Sequence, residues 1–289
     1  MIPKELIKKV KSLEISTRKI VQSTLSGSYQ SAFKGKGLNF SDLRAYQIGD
    51  DVRNINWKVS ARSHETHVNL FEEERELNIL LVVDISGSET FGSLSKTKRD
   101  YAAEIAAILG FSAILHSDKV GLLLFAENVE SYIPPKKGKD HVLRLLRDIF
   151  YVKAKKKRTN LSAAINYTMN MMKKKSVIFF ISDFIDHSYE KQFKILANKH
   201  DVVPIIIEDP LENELPKAGT LAFQDQETNE IVYVNSSLAE VQKAYKNMRY
   251  SNALELERLF KVSKCDYLKL NTHQDYTKSL IHFFKKRQR

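Results

Sequence analysis

The sequence is poor in the residues that staple small or secreted proteins. It holds one cysteine, Cys265, in 289 residues. That excludes an internal disulfide and any Cys-rich zinc module, and the thiol reads as buried on a strand. Long apolar runs are missing too. The longest candidate, Ile105 to Leu115, is Ala-rich and broken by Gly110 and Ser112, short of the 18 or so residues of a membrane span. The opening Met1-Ile2-Pro3-Lys4-Glu5-Leu6 lacks a signal peptide's apolar segment. A cytoplasmic location is expected.

Catalytic signatures are equally scarce. There is no Gly-x-x-x-x-Gly-Lys-Ser/Thr phosphate loop, and Gly35-Lys36-Gly37 is a poor imitation. No Gly-x-Gly-x-x-Gly follows a strand, and neither Ser86 nor Ser88 sits in a Gly-x-Ser-x-Gly elbow. Ser86 stands where an Asp-x-Asp phosphotransfer start would need its second carboxylate. The eight histidines form no His-Glu-x-x-His pair, and His64 and His67 flank a loop. A non-enzymatic role is expected.

What is present is ordinary globular material, 43% hydrophobic and 28% charged, which argues against disorder and coiled coil. The length allows one large domain or two modest ones. Forty-six Lys and Arg against thirty-five Asp and Glu leave +11. The excess gathers in Lys153, Lys155, Lys156, Lys157 and Arg158, in Lys173 to Lys175, and in the tail Lys285-Lys286-Arg287-Gln288-Arg289. Glu72-Glu73-Glu74 and Glu76 form an acidic counterpart. No aromatics interleave with the basic runs as a base-stacking platform requires, so they read as solvated surface rather than a nucleic-acid interface.

From Asn78 onward, short apolar runs alternate with amphipathic stretches. Strands are expected at Ile79 to Val83, Val120 to Phe125, Val177 to Ile181, Val202 to Ile207 and Cys265 to Leu270. Helices are expected at Lys98 to Ser117, His141 to Phe150, Leu161 to Met172, Tyr189 to His200, about Leu238 to Val262, and Tyr276 to Phe284. This alternation predicts an α/β fold with a doubly wound, mainly parallel sheet covered on both faces. Thr220 to Phe223 and Ile231 to Val234 flank a polar turn and read as a β-hairpin insertion near 215–236. Residues 1–77 differ: Leu6 to Ser26 suggests one or two helices, and Leu38 to Leu77 an irregular β-rich segment. The expected division is therefore 1–77 and 78–289.

The sharpest feature is Asp84-Ile85-Ser86-Gly87-Ser88, at the carboxyl end of the first buried strand, the edge where open α/β sheets form ligand sites. Gly87 permits a tight loop on which Asp84, Ser86 and Ser88 converge. Their oxygens are hard ligands suited to Mg²⁺ or Mn²⁺. Thr159 precedes the helix at Leu161, and Asp183 follows the strand Val177 to Ile181. Both reach the same predicted edge.

This set resembles the metal-ion-dependent adhesion site of von Willebrand factor A domains, an Asp-x-Ser-x-Ser string with a distant Thr and Asp. The N-terminal half adds Gly35-Lys36-Gly37-Leu38-Asn39-Phe40, Asp42 to Gln47, Gly49-Asp50-Asp51-Val52-Arg53-Asn54-Ile55-Asn56-Trp57, Ala61-Arg62 and Phe71 to Glu76. This stretch is similar to the signature of the bacterial DUF58 family, which joins it to an A-domain-like sheet. Asn56 departs from the Asp common before the Trp. Asp50, Asp51, Arg53, Trp57 and Arg62 read as an ion-paired, aromatic-anchored packing element, with a second binding surface as the alternative.

The resemblance implies a non-enzymatic adaptor whose Mg²⁺ or Mn²⁺ is held by Asp84, Ser86, Ser88, Thr159 and Asp183, one position accepting a partner's Glu or Asp. It also implies a MoxR-type AAA+ ATPase as partner in chaperone-like assembly. Lys153 to Arg158, just before Thr159, would steer an acidic partner. The alternatives are a metal-dependent hydrolase or phosphatase using the same oxygens, and a basic-surface binder of nucleic acid or membranes.

Overall fold

The computed structural model describes residues 4–21, 29, 32–33, 39–63, 65–72, 76–90, 92, 96–186, 188–212, 215–224 and 231–287. Outside them lie the expected helical stretch beyond residue 21, the glycine-rich break at 34–38, His64, Glu73 and Glu74, the hairpin tip at 225–230, and the last two tail residues. The chain forms two compact units, Met1–Ala32 with Asn78–Arg289, and Phe33–Leu77. Helix α1 (Lys4–Ile20) belongs to the first.

The smaller unit pairs β1 (Asn39–Ala45) with β2 (His67–Glu72) antiparallel, with a bulge between Phe40 and Asp42. A 3₁₀ turn at Val52–Asn54 and helix α2 (Trp57–Ser63) lie between these strands. Asn56 is a joint here. Its Oδ1 accepts from Val59 N at 3.2 Å, and its Nδ2 donates to Asn69 Oδ1 at 2.9 Å. An amide does both, so the departure from Asp has a structural use.

The larger unit is built on six strands: β3 (Asn78–Asp84), β4 (Lys119–Phe125), β5 (Val129–Lys136), β6 (Val177–Ser182), β7 (Asp201–Glu208) and β10 (Leu268–Asn271). Their order is β10-β7-β6-β3-β4-β5. All neighbours are parallel except β4 and β5. From Ile79 to Asp84 every residue of β3 is buried, as expected where helices cover both faces of a parallel sheet. The sequence signal for β5 is weak because Pro134 and Pro135 interrupt it; proline is tolerated there because β5 is an edge strand.

One face carries α3 (Lys98–Leu115), which packs on α1 and α4 (Lys139–Tyr151). Helix α3 is buried nearly all round, as its apolar composition demands. Gly110 allows α4 to approach: a Cβ there would meet Val142 Cγ1 at 2.8 Å. The other face carries α5 (Leu161–Met171), α6 (Glu190–Lys199) and the end of α7 (Ala239–Val262). Phe125, Phe180, Phe184, Phe193 and Phe260 stack in a chain of ring contacts beneath them. The expected hairpin is β8 (Thr220–Gln224) with β9 (Ile231–Asn235), and α8 (Tyr276–Arg287) closes the chain.

Two expectations need correction. The last strand starts at Leu268, so Cys265 lies in the turn before it, half-buried, its thiol pushed up to about 12 mainly by burial. In the tail, Arg287 is not a free cation. It donates to Asp201 at 2.6 and 2.8 Å and also pairs with Asp266.

Candidate functional site

Strand order reverses between β3 and β6: β3 leads through α3 to β4 on one side, and β6 leads through α6 to β7 on the other. Diverging connections leave a crevice at the carboxyl ends of this strand pair. Asp84 ends β3, and Asp183 immediately follows β6.

Hydrogen bonds tie three loops together around that crevice. Asp84 Oδ1 accepts from Ser86 N at 2.9 Å, and its Oδ2 accepts from Ser182 Oγ at 2.8 Å. The hydroxyls of Ser86 and Ser88 lie 3.1 Å apart. Gly87 N donates to Lys157 O at 2.8 Å, and Leu161 N donates to Asp186 Oδ2 at 2.7 Å. Half-buried Thr159 lies between these two anchors. After Asp183 the backbone of Phe184 adopts φ +58, an uncommon conformation for a bulky residue. It is held by Phe184 N donating to Ser182 Oγ, and by Ile185 N donating to Asp183 Oδ1.

The motif accounts for only part of this centre. Glu89, in the 3₁₀ turn Ser88–Thr90, is 1% exposed. Asp84, Glu89 and Asp183 each place a carboxylate oxygen within 4.8 Å of the others. Lys98, in the first turn of α3, is fully buried and donates to Asp183 Oδ2 at 3.0 Å and Glu212 Oε1 at 2.8 Å. Among the described residues, Lys98 thus bonds two carboxylates and feels the charge of a third, Glu89. Burial, and then the charge of Asp183, raise Asp84 to about 7. Burial also raises Glu89 well above the ordinary carboxylate range, against the pull of Lys98. The three acids around Lys98 keep its ammonium protonated despite burial.

The sequence reading missed Glu89, Lys98 and Glu212. Only Lys98 left a local signal: a lysine in a helix's first turn opposes the macrodipole, so another partner has to hold it there.

The basic run lies on the exposed side of the same loops, with Lys153, Lys155, Lys156, Lys157 and Arg158 all exposed. Lys156 pairs with Glu127 at 2.6 Å, and Lys155 N donates to Glu130.

In the smaller unit, Arg44 grips Asp50 with two bonds of 2.8 and 2.7 Å, and Asp51 pairs with Arg53 at 2.8 Å. These guanidinium bonds lower both carboxyls, helped by backbone N–H donors. The ion-paired half of the expectation therefore describes this unit. Trp57 opens α2 and is 70% exposed, and Arg62 is exposed as well.

The family model described as "Protein of unknown function DUF58" matches residues 42–254. The chain belongs to the DUF58 family. Uncharacterized proteins of Mycobacterium tuberculosis and Mycobacterium bovis are 27% identical to this DUF58 protein over 283 residues, 97% of this chain and 89% of theirs. The structure of the conserved hypothetical protein BatB from Bacteroides thetaiotaomicron is similar with TM-score 0.49 and 16% identity, over 73% of this chain and 98% of that one. The PilB minor pilin of Streptococcus sanguinis gives TM-score 0.39 and 10% identity, over 78% of this chain and 64% of its own. Likenesses this distant carry no functional inference.

Proposed function

We propose that this DUF58 protein is a non-enzymatic, divalent-cation-dependent adaptor with a von Willebrand factor A-like sheet domain. The observation behind this reading is the buried carboxylate cluster at the switch point, flanked by the Ser86 and Ser88 hydroxyls. The donor set suits a hard divalent ion, since all its groups are oxygens and its acids outnumber the one ammonium. Ser86, Ser88 and Thr159 would hold Mg²⁺ or Mn²⁺ through their hydroxyls. Asp84 and Asp183 would act largely through bound water, because Mg²⁺ dehydrates reluctantly. Lys98 is a poor general base, its proton held by three acids.

The partner in this reading is a MoxR-type AAA+ ATPase, or another protein presenting acidic side chains, met in the cytoplasm. Lys153 and Lys155 to Arg158 lie on the loops that close the site and would speed encounter with an acidic surface. The test has two parts. Mg²⁺ or Mn²⁺ should raise the melting temperature of wild type, and Asp84→Ala should lose most of the gain, since a ligand of the native state stabilises by mass action. Capture of the purified ATPase should fail with chelator. Equal stabilisation of both proteins would remove the cation site from the reading. Phosphoester turnover lost in Asp84→Ala would replace the adaptor by the hydrolase.

A further inference from the structure

The Asp-x-Ser-x-Ser string ends at Ser88, and the next residue is the least satisfied acid in the centre. Glu89 is 1% exposed, and its Oε1 is buried with no hydrogen-bond partner. A buried carboxylate oxygen without a donor is costly. Lys98, the ammonium that could relieve it, is committed to Asp183 and Glu212. Yet Glu89 places an oxygen within 4.8 Å of oxygens from both Asp84 and Asp183. Oxygens about 2.0–2.6 Å from one ion lie no more than about 5 Å from one another. A single cation fits that spacing.

We propose that Glu89 is a direct ligand of the divalent cation, filling from within the chain the position that an adhesion-type site leaves for a partner's carboxylate. With the hydroxyls of Ser86, Ser88 and Thr159 as the other direct ligands, and Asp84 and Asp183 acting largely through bound water, Glu89 supplies the carboxylate oxygen of the shell. A partner meets the surrounding loops and the basic run, and does not touch the ion. This inference rests on the cation reading of the site.

The test is Mn²⁺ titration of the full chain, by calorimetry and by the loss of the free-ion paramagnetic resonance signal. It compares wild type, Glu89→Gln and Glu89→Asp. Disturbing groups that merely orient a metal's ligands costs about 10- to 100-fold in affinity. Glu89→Gln should therefore weaken Mn²⁺ binding about tenfold or more. Without metal it should melt no lower than wild type, because the amide matches the side chain in shape and carries no charge to desolvate. Glu89→Asp keeps the charge but retracts it by one methylene, and should also bind more weakly; it decides the matter if the glutamine variant does not fold. Wild type that binds no Mn²⁺ at millimolar concentration would sink the cation reading and this inference together. Wild type that binds, with both variants within threefold of it, would overturn the ligand role of Glu89 alone.

Discussion

Lys98→Met removes the buried ammonium that Asp183 and Glu212 share. Methionine keeps an unbranched stem where Lys98 is fully buried, so little packing is lost and the change is mainly electrostatic. In chelator, Asp183 keeps its Ile185 N donor but loses the ammonium at 3.0 Å, and Glu212 loses its contact at 2.8 Å. Removing one partner of a buried ion pair costs about 3–5 kcal/mol. Glu212 is 18% exposed in its side chain and can turn to water, so the lower end, about 3 kcal/mol, is expected. Against a domain stability of about 5–15 kcal/mol, that is a large shift in urea midpoint, with an unchanged slope if both proteins unfold in two states. Adding Asp183→Asn should return part of the loss, because it neutralises the acid left exposed to its neighbours. Mn²⁺ should also stabilise the methionine variant more than wild type, since the ion no longer competes with the ammonium. A loss below about 1 kcal/mol, or strict additivity of the two substitutions, would refute the shared-charge account.

The raised pKa of Asp84 fixes the sign of a pH effect. Between the unfolded value near 4 and the folded value of about 7, the native state binds the extra proton, so metal-free stability should fall as pH rises through that window. Melting temperatures in chelator at pH 5 and pH 8 measure this, and Asp84→Asn should flatten the difference; a rise with pH that depends on Asp84 would contradict it. In the α3–α4 contact, Gly110→Ala gains about 1 kcal/mol of helix propensity but places a methyl 2.8 Å from Val142 Cγ1. Overpacking of about 1–3 kcal/mol should win, with recovery in the Gly110→Ala/Val142→Ala double variant; a more stable single variant would show that α4 moves aside freely.

Much of the sheet domain is legible along the chain because its determinants are local. Five apolar runs bounded by polar residues mark the parallel strands, and the polar residues ending two of them, Asp84 and Ser182-Asp183, mark the edge of the candidate site. Adjacent loops then bring the Asp-x-Ser-x-Ser string against the residue after β6 without any long-range guess. The failures are of two kinds. Strand β5 and the late start of β10 are lost where proline or a turn masks a short period. The other kind is charge that no local pattern announces.

The deeper loss concerns charge. Lys98 meets partners 85 and 114 positions away, and no spacing rule connects them. Read locally, Lys98, Glu89 and Glu212 are three surface-type residues on a helix start and two 3₁₀ turns. Folding turns them inward because the strand order reverses between β3 and β6, so the start of α3 and the segments after β3, β6 and β7 crowd one edge. Each acid alone would be solvated and ordinary. Brought together beside Lys98 they crowd one buried edge, where burial raises Asp84 and Glu89 above the ordinary carboxylate range, and the proposed cation site rests on that crowding rather than on the short motif.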